Sequence, residues 1–350
     1  MLPSLRLFDG VAIPSYGLML FVAFVVGIVL FDRRVRARGL LPATFRYSWA
    51  WRLTDIGLAL IILAAGVWTA FFAPSQWQFL RSRPPAFQFA FRILALALAG
   101  YLEYGSIQHI IAQSRRRNVD GVEFTTYLAL WVLFSAIIGS RLLYILMHPG
   151  EFTHDPALTF AFWRGGLKGL VFFGGLVGAL VMGVIFARHN RLPLLNLLDA
   201  AMPSIVLGEF FTRIGCFLNG CCWGEVSNLP WAVPFPQDSF PWVYQLGKGL
   251  IAANARHSLP IHPTQLYSSL AGLLLFGIAL VLERRRWRPG VLFGVMLFLY
   301  SGFRFGVDFL RAYDHKDLWT NQAISLGLCA VGLAVTIWRV RQPGARADSR

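Results

Sequence analysis

Nine stretches of this chain are each apolar for long enough to cross a bilayer as a helix, and this limits the fold more than any other feature. They run roughly over 12–31, 54–72, 87–111, 124–147, 167–187, 195–217, 264–283, 290–311 and 318–338. A helical crossing takes about 20 apolar residues. The alternating ten-residue segments of an outer-membrane barrel are absent, so helices are the spanning structure to expect. The composition agrees: only 14% of the 350 residues are charged, against about 25% in a soluble domain. A soluble globular enzyme and a disordered chain are both excluded. Near the N-terminus the apolar run is broken by Pro14, Ser15 and Tyr16. No small-residue cleavage site follows a charged start, so the first span is expected to stay in the mature protein.

The chain also carries a formal net charge of +15, which could mean nucleic acid, anionic lipid or membrane topology. Position decides. Basic residues cluster after the odd-numbered spans: Arg33, Arg34, Arg36, Arg38, Arg46 and Arg52, then Arg115 to Arg117, Arg188 and Arg191, Arg284 to Arg286 with Arg288, and Arg339, Arg341, Arg346 and Arg350. Counted by side, 19 fall there and 8 on the other side. The positive-inside rule then predicts an external N-terminus and a cytoplasmic C-terminus. No basic cluster interleaved with stacking aromatics is present, so no nucleic-acid partner is expected.

Unusual sequence gathers on the opposite, outer side. Residues about 218–263 are rich in Pro, Trp, Asn and Gly, which predicts an irregular or short-stranded cap rather than another span. Five arginines lie in or at the edge of spans: Arg92, Arg141, Arg213, Arg304 and Arg311. A guanidinium at a helix centre costs about 2.5–3.5 kcal/mol on insertion scales, so such groups face protein or a polar cavity. Snorkelling at a span end accounts for Arg92 and in part for Arg311. Tyr300, Arg304, Asp308 and Arg311 are spaced to share one face of the eighth span. Two readings stand: an internal Arg304–Asp308 ion pair, or an anion site presenting two guanidinium groups to a phosphate. Glu209 and Arg213 repeat the theme in the sixth span.

These residues also resemble a known family. Arg213 to Gly224 (RIGCFLNGCCWG) is similar to the signature of the prolipoprotein diacylglyceryl transferases. Tyr16 to Met19, Ile138 to Leu146, Phe173 to Leu176, His262 to Tyr267 and Tyr300 to Arg311 resemble its other elements, in order, and Gln322 and Ser325 fit its last span. The resemblance covers roughly 12–40 and 114–340. It implies an all-α integral membrane protein of the bacterial inner membrane, with a seven-helix core and a site open to the periplasm. An inserted two-helix hairpin over 41–113 would bring the total to about nine spans. Residues 1–40 would form the first span of the core, 114–340 its remainder with the cap at 218–263, and 341–350 a basic cytoplasmic tail.

The implied reaction moves a diacylglyceryl group from phosphatidylglycerol to the lipobox cysteine thiol of a prolipoprotein, releasing glycerol-1-phosphate. Carried over by motif position, Arg213 and Arg304 would bind the phosphate, supported by Arg141, Asn219 and Arg311. Tyr16 and Tyr300 would line the site, with Gly174, Gly175 and Gly220 in its walls. The chain departs from the family pattern in places. Phe173 stands where a His precedes the Gly-Gly element, and Cys216, Cys221 and Ser268 replace Asn, an acidic residue and Glu. The arginine frame is kept while proton-handling positions change, leaving His262, Asp308 or Tyr300 as the base, or no dedicated base at all. The departures and the insertion also leave room for a divergent member using another phospholipid or acceptor, or for a non-catalytic lipid-binding protein.

The spacing of Cys216, Cys221 and Cys222 matches no standard structural zinc site. No metal and no cofactor are therefore expected. Cys329, mid-span, reads as a small packing residue.

Overall fold

The structure is a computed structural model and describes residues 4–8, 11–40, 121–147, 172–285, 287–312 and 315–342. The expected inserted spans at 54–72 and 87–111 lie outside these residues, as do Arg92, Arg115 to Arg117 and the tail beyond residue 342. The described residues fall into two compact units: Ser4–Pro14 belongs to one, and every described residue from Ser15 onward to the other.

The first unit adds a short hairpin to the expected helical architecture. Strands β1 (Ser4–Phe8) and β2 (Val11–Pro14) pair antiparallel, with Ser4 opposite Pro14 and Arg6 opposite Ala12. In the sequence, Asp9-Gly10 separates two short runs rich in Leu, Val, Ile and Phe, a combination that favours a tight hairpin. The first span therefore starts at Ser15 rather than at residue 12.

The second unit is helical. Its long helices are α1 (Ser15–Ala37), α2 (Gly121–Met147), α3 (Phe172–His189) and α4 (Leu194–Asn219). After a short helix, α5 (Phe240–Gly247), come α6 (Thr264–Arg284), α7 (Val291–Asp308) and α8 (His315–Arg341). Six of them are long and apolar enough to cross a membrane. At 18 residues, α3 is about 27 Å long, close to the thickness of the hydrocarbon layer. A buried cluster of Met202, Val206, Leu275, Ala279, Leu292 and Met296 joins α4, α6 and α7. The outward faces are apolar as well: Leu146, Leu274 and Trp319 are exposed. An apolar exterior on apolar helices is the mark of a chain solvated by lipid, and the protein is a multi-pass integral membrane protein.

Lipid gives helices no hydrophobic reason to associate, so close backbone approach has to supply the contact. The α2–α3 seam does so. A Cβ on Gly139 would collide with the Gly174 carbonyl oxygen, and a Cβ on Gly175 would meet the Ser140 hydroxyl at 2.6 Å.

Charges tie the two ends of the bundle differently. At one end, Arg34 and Arg38 reach from α1 to Glu283 of α6 at 3.0 and 3.1 Å. Asp199, near the start of α4, accepts hydrogen bonds from the backbone N–H groups of Gly290 and Phe293 at 2.7 and 2.8 Å. The first turn of α7 has N–H groups with no partner in its own helix, and a carboxylate from a neighbouring helix satisfies two of them. The opposite end holds the start of α1, the end of α4, the start of α6 and the end of α7.

The penultimate span is shorter than expected there. Instead of running to Arg311, α7 stops at Asp308, and Phe309 and Leu310 turn the chain. Arg311 is then drawn into a backbone bridge with Gly224. Arg311 is thus off the helix face assigned to it by spacing.

Replacing Asp199 with Ala removes both acceptors while the α7 N–H groups stay buried. Hydrogen bonds to a charged group contribute about 1.5–3 kcal/mol, so a clear fall in the thermal unfolding midpoint of the detergent-solubilised protein is expected. Asp199→Asn, which keeps one acceptor, should lose less.

Candidate functional site

Two charge clusters meet at the end of the bundle opposite Asp199. On α4, Glu209 and Arg213 are one turn apart and pair at 2.7 Å. The Tyr300 hydroxyl of α7 donates to the same Glu209 carboxylate at 3.2 Å. On α7, Arg304 pairs with Asp308 at 3.1 Å, and Arg311 approaches the same carboxylate at 3.7 Å. Asp308 is fully buried. Tyr300 is within electrostatic reach of both Arg213 and Arg304 and so links the clusters. Tyr16 joins from α1: its ring lies beside Gly215, and it feels the Arg213 charge.

Among the described residues, three guanidinium groups (Arg213, Arg304, Arg311) and two carboxylates (Glu209, Asp308) gather here. Guanidinium groups drawn together at low dielectric attract an anion, and their forked N–H groups match phosphate oxygens.

The segment after α4 folds into the irregular cap that its composition predicts. Gly220, in the left-handed region at φ 80°, ends α4 and returns its N–H to the Cys216 and Phe217 carbonyls. This is the usual reason for glycine at a helix C-terminus. The chain then forms the middle line of a small backbone network. Gly224 N–H donates to the His262 carbonyl at 3.1 Å, and Glu225 N–H to the Leu310 carbonyl at 2.9 Å. Gly224 is therefore flanked on both sides by backbone. A Cβ there would meet Leu310 O and His262 Cβ, each at 2.6 Å. Farther out, α5 is anchored by the Trp242 indole, which donates to Ala255 O at 2.8 Å, and by the buried Gln245, which accepts from Leu259 N–H at 2.7 Å.

Within this cap, Cys216, Cys221 and Cys222 come together. Their sulfur atoms all lie within 4.8 Å of one another, and all three are free thiols. Cys222 takes the left-handed backbone conformation at φ 59°, uncommon for a residue with a Cβ. Two fully buried side chains at the start of α6 hold the loop: Thr264 donates to Cys222 O at 2.9 Å and Gln265 to Cys221 O at 2.7 Å. The Cys222 thiol is held below the usual thiol range. Hydrogen bonds with Cys216 and Cys221 contribute most, the Arg213 and Arg311 charges add to them, and desolvation opposes.

The other residues singled out in the sequence are placed as follows. Asn219 closes α4 and hydrogen bonds Cys221 through its side chain. His262 packs on Gly224, and its Nδ1 is 3.4 Å from the Tyr267 hydroxyl, which also accepts from the Trp231 indole at 2.8 Å. Arg141 sits over the Tyr144 ring at 5.6 Å within α2. Gly174 and Gly175 make the α2–α3 seam, one residue from Arg141. Phe173 lies in the first turn of α3. In α8, buried Gln322 donates to Phe305 O at 3.0 Å and fixes that helix against α7. Sequence reading had not singled out the carbonyl anchors Thr264 and Gln265, though they stand next to His262 in the same motif.

The fold and this charged end define a multi-pass membrane protein whose buried arginines, tyrosines and thiols gather where the helices meet a polar cap. Residues 85–338 match the family described as prolipoprotein diacylglyceryl transferase. The chain belongs to that family. Among its relatives, a phosphatidylglycerol–prolipoprotein diacylglyceryl transferase from Azotobacter vinelandii is 34% identical over 224 residues, covering 61% of this chain and 77% of that protein. One of the same name from Ralstonia pickettii is 31% identical over 256 residues, 67% of this chain and 82% of that protein. A third, from Nitratidesulfovibrio vulgaris, is 35% identical over 212 residues, covering 58% and 72%.

Gly224→Ala is a direct check on the cap. Both flanking backbones would have to move, and misfit of this kind costs about 1–3 kcal/mol. The expected result is a lowered unfolding midpoint together with faster proteolysis within 218–263, relative to an Ala substitution at open Gly247.

Proposed function

We propose that this protein transfers the diacylglyceryl group of phosphatidylglycerol to the lipobox cysteine of a prolipoprotein, the first step in lipoprotein maturation. Its partners are then phosphatidylglycerol and the prolipoprotein signal peptide. Its location is the bacterial inner membrane, with the N-terminus and the cap periplasmic and the C-terminus cytoplasmic. Residues 1–40 and 114–340 form the transferase core and 41–113 an insertion into it. The observation that carries the reading is the meeting of Arg213 from α4 with Arg304 and Arg311 from α7 and its end, all in family motifs, at one end of the bundle.

The chemistry follows from that gathering. The lipid phosphodiester is an anion, and guanidinium groups pair with its oxygens through parallel N–H donors. As the bond from the glyceryl carbon to the phosphate oxygen breaks, charge grows on the departing phosphate. Donors already in place stabilise it with no reorganisation. Arg213 and Arg304 bind that phosphate, and Arg311 and Arg141 add positive potential. Asp308, Glu209 and Tyr300 hold the guanidinium groups in position. Tyr16, Asn219 and Gly220 line the head-group side, and Gly174 and Gly175 set the wall that carries Arg141. His262, packed on Gly224, receives the proton of the acceptor thiol.

The test is transfer of labelled diacylglyceryl from phosphatidylglycerol to a lipobox peptide by the purified protein. Loss of a single preorganised donor typically costs 10²–10³ in rate. Arg213→Ala and Arg304→Ala should therefore each fall by about 100-fold or more, with retained unfolding midpoints showing that the fold survives. Unchanged transfer in both variants, or lipid turnover without a thioether product, would overturn the proposal.

A further inference from the structure

The geometry points to a zinc site formed by Cys216, Cys221 and Cys222, with its fourth position open to the acceptor thiol. Three sulfur atoms within 4.8 Å of one another are close to the spacing that a zinc ion imposes: tetrahedral Zn–S bonds of about 2.3 Å put sulfurs about 3.8 Å apart. Catalytic zinc sites keep three protein ligands and leave the fourth place for water or substrate. The openness matches: Cys216 is buried, Cys221 half-buried and Cys222 exposed.

Three further observations make this a built arrangement. Cys222 is held in a left-handed conformation that an L-residue rarely takes, and such conformations concentrate at functional sites. The carbonyls of Cys221 and Cys222 are fixed by fully buried Gln265 and Thr264, reaching across 44 and 42 residues of sequence. The surrounding charge also fits. Three thiolates on Zn²⁺ carry a net single negative charge, and Arg213 and Arg311 both act electrostatically on Cys222.

The role in catalysis rests on the proposed function; the metal site itself does not. A thiol that coordinates zinc loses its proton outright, here to water or His262. The resulting thiolate attacks the glyceryl carbon of the lipid. A carbon–sulfur bond forms, the carbon–oxygen bond to phosphate breaks, and its electron pair leaves with glycerol-1-phosphate. Electrons balance without any redox partner. The site would supply the ionised nucleophile in a chain that has Phe173 where relatives of the pattern carry a His.

The full-length protein, purified in detergent after growth with added zinc and freed of loose metal, should contain about one zinc per chain. Cys222→Ser, exposed and outside the helices, should lose most of it, whereas Cys329→Ser should keep it. Cobalt(II) in place of zinc should give thiolate-to-cobalt charge-transfer absorption that vanishes in Cys222→Ser. A free thiol near its usual pKa of 8.5 is only about 3% ionised at pH 7, so chelation should slow transfer about 30-fold at that pH, restored by Zn²⁺. Zinc far below one per chain, zinc unaffected by Cys222→Ser, or a disulfide among the three cysteines would overturn the site. Stoichiometric zinc with transfer unchanged by chelation would overturn the activating role and leave the transferase reading standing. Stoichiometric zinc with no thioether formation under any condition would overturn the transferase reading, and the activating role with it, and leave the metal site.

Discussion

A guanidinium carried into a membrane has to be answered by an opposite charge, and the whole charged end of this protein is built around that requirement. Arg213 is answered within its own helix by Glu209, and Arg304 by Asp308 one turn further along α7. Because the partners are one turn apart, each helix brings its charge pair into the membrane already formed. Arg311 is the exception: it comes from beyond the end of α7 and reaches back to the same carboxylate. Two arginines thus share Asp308, and the Tyr300 hydroxyl on Glu209 ties this group to the α4 pair.

The cap depends on that end in turn. Its central line is pinned on one side by the residues following α7 and on the other by those preceding α6. The backbone network therefore ends where the charge clusters begin. The placement of Arg311 and of the three thiols is one geometric problem, solved by Gly224, which leaves room for backbone on both sides. Lipid-facing seams such as Gly139 on Gly174 play a different part: they bring α2 and α3 together without any polar contact being needed.

Much of this could be read in the sequence, for physical reasons. Arg213, Arg304 and Asp308 stood out because a charge in an apolar run is costly and so has a purpose. Long helices are legible because one crossing uses one uninterrupted apolar segment. What could not be read depends on contacts distant in the chain or on local backbone. The strands β1 and β2 are only five and four residues long, too short for a criterion based on span length. The end of α7 at Asp308 follows from the bridge to Gly224, which no helical periodicity records. The convergence of the cysteines needs a left-handed Cys222 and two anchors on α6, and a spacing template registers none of these.

The pairing of Arg34 and Arg38 with Glu283 has a consequence for how the protein is made. These arginines belong to the basic run that would orient the chain in the proposed topology, yet they also bind a carboxylate up to 249 residues away. During synthesis α1 is complete long before Glu283 exists, so its basic end first faces only water and lipid head groups. The clamp closes when α6 emerges, after α4 has already become available to pack on α1. The same side chains thus serve twice in time, first as an address that sets orientation and later as a latch that marks the bundle as assembled.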